Sequence, residues 1–445
     1  MMKGVIRLRR VIAILMLAVC IVCLAGCASG GKGRATKPDT AVSTSDKTTI
    51  YWYYFPVFSQ DVKQQESYEQ TVAREFEKAN PDINVELEAI DFASGPVKLQ
   101  QAIDMQHCNV IFDAPGRIIE YGRAGKLERL DEFFDADYLQ DVNNAAIIDA
   151  CGTGGAKYMY PLSTSPFYMV FNRRMLEEAG VLALVREGWT RDDFVTVLMA
   201  LRSAGFVPGS VFCSGNGGDQ ATRALICNLY GSSIISEDLR AYTINDANGI
   251  KALEFVKDAV NEGLLVNGAL LNGSDDINKF VNGKSSFTIL WGGAQHLGNA
   301  QQLAARHIDV VPVPFPAPQG KAQLEYLVNG FGVVKSDNAA KVEASKKFVR
   351  FLCDDGRVGR SNVSHSGGIP VRQSFRDTPV NDFVRYTENW TKYYSVYYNT
   401  VNGFAYMRNS WHEMLQSLLN GTKPAKKAAD DFVFLANESL HGGSQ

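Results

Sequence analysis

Between Thr49 and Ala89 the periodicity of the chain changes twice. Thr49-Ile50-Tyr51-Trp52-Tyr53-Tyr54-Phe55 is β-branched and aromatic, the composition of a short strand. Tyr68, Val72, Phe76 and Ala79 then recur at helical spacing, and the restriction a proline places on its predecessor predicts a stop before Asn80-Pro81. Ile83, Val85, Leu87 and Ala89 alternate with polar residues, a second strand. Strand, helix and strand at this spacing make a βαβ unit, whose crossover sets the two strands parallel. The fold class is therefore α/β.

Strands and helices keep alternating beyond this unit. Val110-Ile111-Phe112 reads as a buried strand and Ile118-Ile119-Glu120-Tyr121-Gly122 as a short helix, while 157–172 reads as extended, broken by Pro161 and Pro166. At Trp189-Thr190-Arg191-Asp192-Asp193 a helix opens, with Thr190 placed to cap it and Asp193 to close the box; Phe194, Val197, Leu198 and Leu201 share one face. Further helices are expected at 250–261, 277–281 and 341–352, and strands at 286–291, 308–313 and 330–334. The end, 383–431, reads as mostly helical and dense in tyrosine. This alternation predicts two α/β lobes connected more than once.

The chain starts differently. Lys3, Arg7, Arg9 and Arg10 precede an apolar run from Val11 to Leu24, too short for a comfortable membrane span, in the order of a secretory signal. The run closes on Leu24-Ala25-Gly26-Cys27, which resembles the bacterial lipobox. Small residues suit a narrow peptidase pocket, and only a thiol gives the thioether to a diacylglycerol. Cleavage before Cys27 is expected, with 27–46 as a lipidated tether outside the cytoplasmic membrane. The competing reading is an ordinary signal or an uncleaved anchor with a chance cysteine.

Removing 26 residues from 445 leaves 419, enough for two or three domains. Hydrophobic residues at 46% can bury a large core, and a net charge of −3 carries no basic footprint for nucleic acid. Of eight cysteines, Cys20 and Cys23 fall in the signal. Cys108, Cys151, Cys213, Cys227 and Cys353 remain besides Cys27, odd in number and widely spaced, which favours buried thiols over a disulfide framework. Six scattered histidines argue against metal or triad chemistry, and no nucleophile elbow or phosphate loop is present. A glycosidase needs only two well-placed carboxylates, so that class stays open on residues alone.

Several segments carry a resemblance. They are Phe76-Glu77-Lys78-Ala79-Asn80-Pro81-Asp82-Ile83-Asn84-Val85, Gly125-Lys126-Leu127-Glu128-Arg129-Leu130-Asp131, Tyr160-Pro161-Leu162 with Phe171-Asn172, and Leu176-Glu177-Glu178-Ala179-Gly180. Phe280-Val281-Asn282-Gly283-Lys284-Ser285-Ser286-Phe287, Gly367-Gly368-Ile369-Pro370-Val371-Arg372 and Leu419-Asn420-Gly421-Thr422-Lys423-Pro424 follow. In kind and order they resemble the extracellular solute-binding proteins of ABC importers, specifically the sugar-binding family that includes maltose-binding protein. Two departures fall near expected ligand contacts: Cys108-Asn109-Val110 stands where the family has Pro-Asp-Val, and Trp291-Gly292-Gly293 where it has Gly-Pro-Trp.

The resemblance implies a two-lobed periplasmic-binding-protein type II fold with a ligand cleft and three hinge crossovers. Lobe one would hold 47–160 and 329–368, and lobe two 161–328 and 369–445. It also implies a monomeric receptor, without catalysis or cofactor, that closes on a mono- or oligosaccharide and delivers it to the transmembrane subunits of an ABC permease. A polyamine or peptide ligand, a secreted glycoside hydrolase, and a sensing or adhesive lipoprotein are the alternatives.

A sugar site needs aromatic rings for the faces of the ligand and satisfied polar groups for its edges. Tyr53 and Tyr54 end the first strand and face either the cleft or the core. Asp91 and Asp113 follow strands two and three, as hydroxyl acceptors or as helix caps and turns. Arg117 is a clamp or a surface charge. Ser163, Thr164 and Tyr168 lie near the first crossover, Asn329 and Phe331 at the second, and Arg372 after the third. Asn216 sits in a permissive Gly-rich loop or a plain turn. Trp291, with Gly292 beside it, matches the family tryptophan, displaced by the missing Gly-Pro. The set Tyr386, Trp390, Tyr393, Tyr394, Tyr397 and Tyr398 has helix-face spacing, which favours packing over a stacking surface.

Overall fold

A computed structural model describes residues 47–442 apart from 56, 59–65, 92–93, 143, 216 and 379–381. The opening unit forms as its periodicity requires. Strand β1 (Thr48–Tyr54) pairs in parallel with β2 (Ile83–Ala89) across the helix Tyr68–Ala79. Ser67 caps that helix in a reciprocal box with Gln70. Asn80 ends it, its side-chain amide donating to Phe76 O at 2.8 Å.

The remaining strands are β3 (Val110–Asp113), a hairpin of β4 (Gly152–Thr153) and β5 (Ala156–Lys157), β6 (Tyr160–Pro166), β7 (Tyr168–Asn172) and β8 (Ser210–Phe212). Then follow β9 (Val266–Gly268), β10 (Phe287–Trp291), β11 (Val310–Val313), β12 (Tyr326–Val333) and β13 (Ile369–Pro370). One six-stranded sheet runs β13-β6-β12-β3-β1-β2, parallel among β3, β1 and β2 and antiparallel where β12 meets β3 and β6. A second sheet, β10-β7-β11, is antiparallel throughout, and β8 pairs in parallel with β9.

Two separate apolar cores result. The first gathers β1–β3, the helix Ala339–Asp354 and residues as late as Val371 and Phe375. The second gathers β7, β10, the helix Arg191–Ser203 and the C-terminal helices Phe404–Leu419 and Ala425–Leu440. The box of Thr190 and Asp193 forms, and Phe194, Val197, Leu198 and Leu201 are all buried. The chain passes between cores at Leu162–Phe167, at Leu324–Tyr326 and between Phe375 and Trp390. The third passage lies beyond the expected 368/369 boundary, because β13 joins β6 and Phe375 packs inward after it.

These passages lie side by side. Phe167 N donates to Glu325 O at 2.9 Å, Leu324 N to Tyr393 O at 2.7 Å, and Ser395 N to Leu324 O at 2.9 Å. The expected helical end is interrupted here. No helix covers 394–403, so Tyr394, Tyr397 and Tyr398 belong to an irregular segment rather than a helix face. Tyr386 is exposed, whereas Trp390 and Tyr398 are buried in the second core.

All five described cysteines are free thiols and buried. Among the described residues no helix is long and apolar enough to cross a membrane.

Candidate functional site

The first and second cores approach one another at the carboxyl ends of β1 and β3. The helix Pro115–Arg123 starts immediately after β3, with Pro115 where a missing N–H costs nothing. Asp113 accepts from Ala114 N at 2.7 Å and from Arg117 Nε and Nη2 at 2.5 and 3.1 Å. Arg117 lies 4.5 Å from the centre of the Phe55 ring. Burial pushes the Arg117 guanidinium down, and Asp113 more than offsets it, so it stays firmly charged. Two candidates thus form one unit: Asp113 holds and Arg117 is presented.

Opposite this unit stands the 395–403 segment. A Cβ on Gly116 would lie 3.2 Å from Asn399 O and 3.4 Å from Phe404 Cδ1, so the glycine permits a close approach. Arg123 Nη2 donates to Thr400 O at 2.6 Å.

Along the passages, Ser163 and Asn329 are direct partners across β6 and β12. Ser163 Oγ is 3.1 Å from Ser366 Oγ, and Thr164 Oγ1 is 2.9 Å from Tyr394 Oη. The Tyr394 ring stacks on Tyr326 at 3.9 Å and 7°, with Tyr397 5.0 Å from Tyr326 on another side. Glu325, Tyr326 and residues 395–399 line a narrow recess too tight to hold a water molecule.

Beneath the recess lies a charge network that the sequence reading misses. Arg223 donates through Nε and Nη2 to Glu325 at 2.9 and 2.8 Å, and through Nη1 to Asp219. The Tyr398 hydroxyl lies 2.5 Å from Arg223 Nε and donates to Glu325 Oε1 at 2.6 Å. Arg408 reaches both oxygens of Asp219 at 2.6–3.0 Å. Burial pushes Asp219 up, but Arg408 and Arg223 outweigh it and hold the carboxyl well below the usual range. Burial also pushes Glu325 up, and there Arg223 and Tyr398 only partly compensate. These residues are separated by up to 189 positions in sequence, and no periodicity links them. The available signal was Arg223 itself, a cation inside the apolar run Ala221 to Leu229.

The other candidates are placed as follows. Trp291 is fully buried, edge-on to Phe280 at 5.6 Å, and pairs in register with Tyr168, itself buried 5.1 Å from Trp390. Both serve the second core. Gly292 is extended, and a Cβ there would meet Pro166 O at 3.1 Å. Phe331 is fully buried between Phe112 and Trp52, and Tyr53 and Tyr54 pack in the same first core. Burial, with Glu69 next, pushes the Tyr54 phenol up to about 12. Arg372 bonds Asp141 and Asp354, both at 2.6 Å, and clamps the first core instead of reaching toward Arg117. Asp91 accepts from Ser94 N and Oγ at 2.7 and 2.5 Å, where the next helix begins. Asn216 and Cys27 lie outside the described residues. Among the described residues no group of His, Cys, Asp and Glu is arranged to hold a metal ion.

Two lobes, one built on a mixed sheet and one on an antiparallel sheet, joined by three adjacent passages, define a solute-binding architecture. The profile of the bacterial extracellular solute-binding protein family matches residues 60–356, and the chain belongs to that family. No curated protein matches it by sequence. Among solved structures it is similar to the GacH receptor of Streptomyces glaucescens, studied unliganded and with acarbose: TM-score 0.73 and 16% identity over 89% of this chain and 99% of that one. It is likewise similar to an ABC substrate-binding protein of Listeria monocytogenes in complex with cycloalternan, with TM-score 0.70 and 21% identity over 89% and 100%. A solute-binding protein of Thermotoga lettingae bound with α-D-tagatose gives 0.74 and 15% over 88% and 100%.

Proposed function

We propose that the mature chain is a lipid-anchored, monomeric receptor that captures a mono- or oligosaccharide between its lobes and hands it to an ABC permease. The observation that carries this reading is the pairing across the cleft. Arg117, oriented by Asp113 over Phe55, stands on one side, and a tyrosine-rich segment stands on the other. Rings suit the faces of a sugar, and polar groups whose geometry is already fixed suit its hydroxyls. The lining is assigned to Arg117, Thr164 and Asn329 opposite Tyr397 and Asn399. The lobes hinge at the three passages. The acarbose, cycloalternan and tagatose complexes of its structural neighbours support a saccharide over a polyamine or peptide. Cleavage before Cys27 and lipid on its thiol supply the anchor.

The test is a thermal-shift screen of residues 28–445 against sugars, oligosaccharides, polyamines and peptides. A ligand at a hundredfold its dissociation constant adds about 2.7 kcal/mol. A shift with a saccharide that stays intact on long incubation supports the receptor. A shift confined to polyamines or peptides overturns the substrate class, and breakdown of the sugar would point to a hydrolase. For the anchor, Cys27→Ser should release the cleaved protein from the membrane; retention would refute lipidation.

A further inference from the structure

The 395–403 segment is held at both sides by different bodies. On its inner side the Tyr398 hydroxyl is locked between Arg223 and Glu325, and Arg223 is in turn fixed by Asp219. On its outer side Asn399 O abuts Gly116, and Thr400 O accepts from Arg123, both on the Pro115–Arg123 helix of the first core. Phe404 closes the segment, with the guanidinium groups of Arg223 and Arg408 at 5.8 and 5.9 Å from its ring and its edge against Gly116.

A stretch without a helix or strand ladder loses backbone entropy on ordering with no ladder bonds to offset it, so its shape needs an external template. Charge-assisted hydrogen bonds to a buried cluster supply one with direction. Arg223, Glu325 and Tyr398 are all buried, so they act on the cleft through the segment and not by contact with a solute. Lobe separation would break the outer contacts and leave the inner ones made.

We propose that Tyr398 is a positioning residue, whose hydroxyl, locked by Arg223 and Glu325, shapes 395–403 into a latch for the Pro115–Arg123 helix and so biases the lobes toward closure. The inference rests on the hinge-closing receptor reading, but its test uses no solute, so each can fail alone.

The experiment is hydrogen–deuterium exchange of residues 28–445 carrying Tyr398→Phe or Arg123→Ala, against the parent. Tyr398→Phe keeps the ring and removes only the hydroxyl. Exchange should accelerate about tenfold both in 395–403 and across the cleft in 115–123, while 68–79 and 425–440 keep the parent rate. Arg123→Ala should accelerate 395–403 and 115–123 and leave 219–225 protected. Acceleration confined to 395–403 in Tyr398→Phe would mean the hydroxyl orders only its own loop, and would overturn the proposal. If Tyr398→Phe exchanges everywhere as an unfolded chain, the exposed Arg123→Ala decides: parent-like exchange in 395–403 refutes the latch.

Discussion

Thr164 and Tyr394, 230 residues apart in sequence, share a hydrogen bond of 2.9 Å between their hydroxyls where the first and third passages run side by side. Thr164→Val would keep the shape and leave the buried Tyr394 hydroxyl without that partner. The expected cost is about 1–3 kcal/mol by urea unfolding, and Tyr394→Phe in the same chain should return part of it. Strict additivity of the two changes would show that the bond contributes nothing.

Arg223 is the only cation bonded to Glu325 among the described residues. Arg223→Met should therefore destabilise the chain by about 3–5 kcal/mol, because it strands a buried carboxylate. Replacing Glu325 with Met as well should recover most of the loss. A single-variant loss below about 1 kcal/mol would contradict the network as described.

His412 is buried beside the network, and neither ring nitrogen has a hydrogen-bond partner among the described residues. Burial pushes its pKa below the usual 6.5, with Asp219 pulling it up and Arg408 and Arg223 pushing it down. Below 6.5 the unfolded chain then binds more protons than the folded one, so stability falls as pH drops through that value. His412→Gln should flatten this fall in urea midpoints between about pH 7.5 and about pH 5.5. His296, also held low by burial, keeps a residual slope. Superimposable profiles for parent and variant would rule out His412 as the source.

Gly293 stands where the sequence departs from the family pattern, and a Cβ there would lie 1.9 Å from Gly367 O. The helix Gly293–Ala305 and the turn before β13 thus meet backbone to backbone. Gly293→Ala should lower stability by about 1–3 kcal/mol through forced separation. Gly298→Ala, in the same helix with open space around it, should be neutral or slightly stabilising. Equal melting temperatures for the two variants would refute the close approach.

Local order was legible because local physics sets it. The parallel pair β1–β2, the stop at Asn80 and the box of Thr190 and Asp193 each follow from a few neighbouring residues. The cleft was less legible. Asp113 and Arg117 were singled out separately, yet their i,i+4 spacing makes them one ion pair. Trp291 carried the family pattern and Phe331 stood at the second crossover, yet strand alternation turns both into cores. The third passage and the Arg223 network depend on partners a hundred or more residues away, and no window of sequence contains them. The tyrosine spacing near the end suggested a helix face, but the ladder is interrupted where Leu324 pairs with Tyr394.

The buried thiols bear on how motion in this chain can be followed. Burial raises all five described cysteines, Cys151 and Cys213 to about 12, so at neutral pH almost none is thiolate, and each side chain is buried. A maleimide dye or spin label would therefore pass them by. Residues 28–445 with one new surface cysteine on each lobe become a ready distance gauge for opening and closing, with every native sulfur left in place.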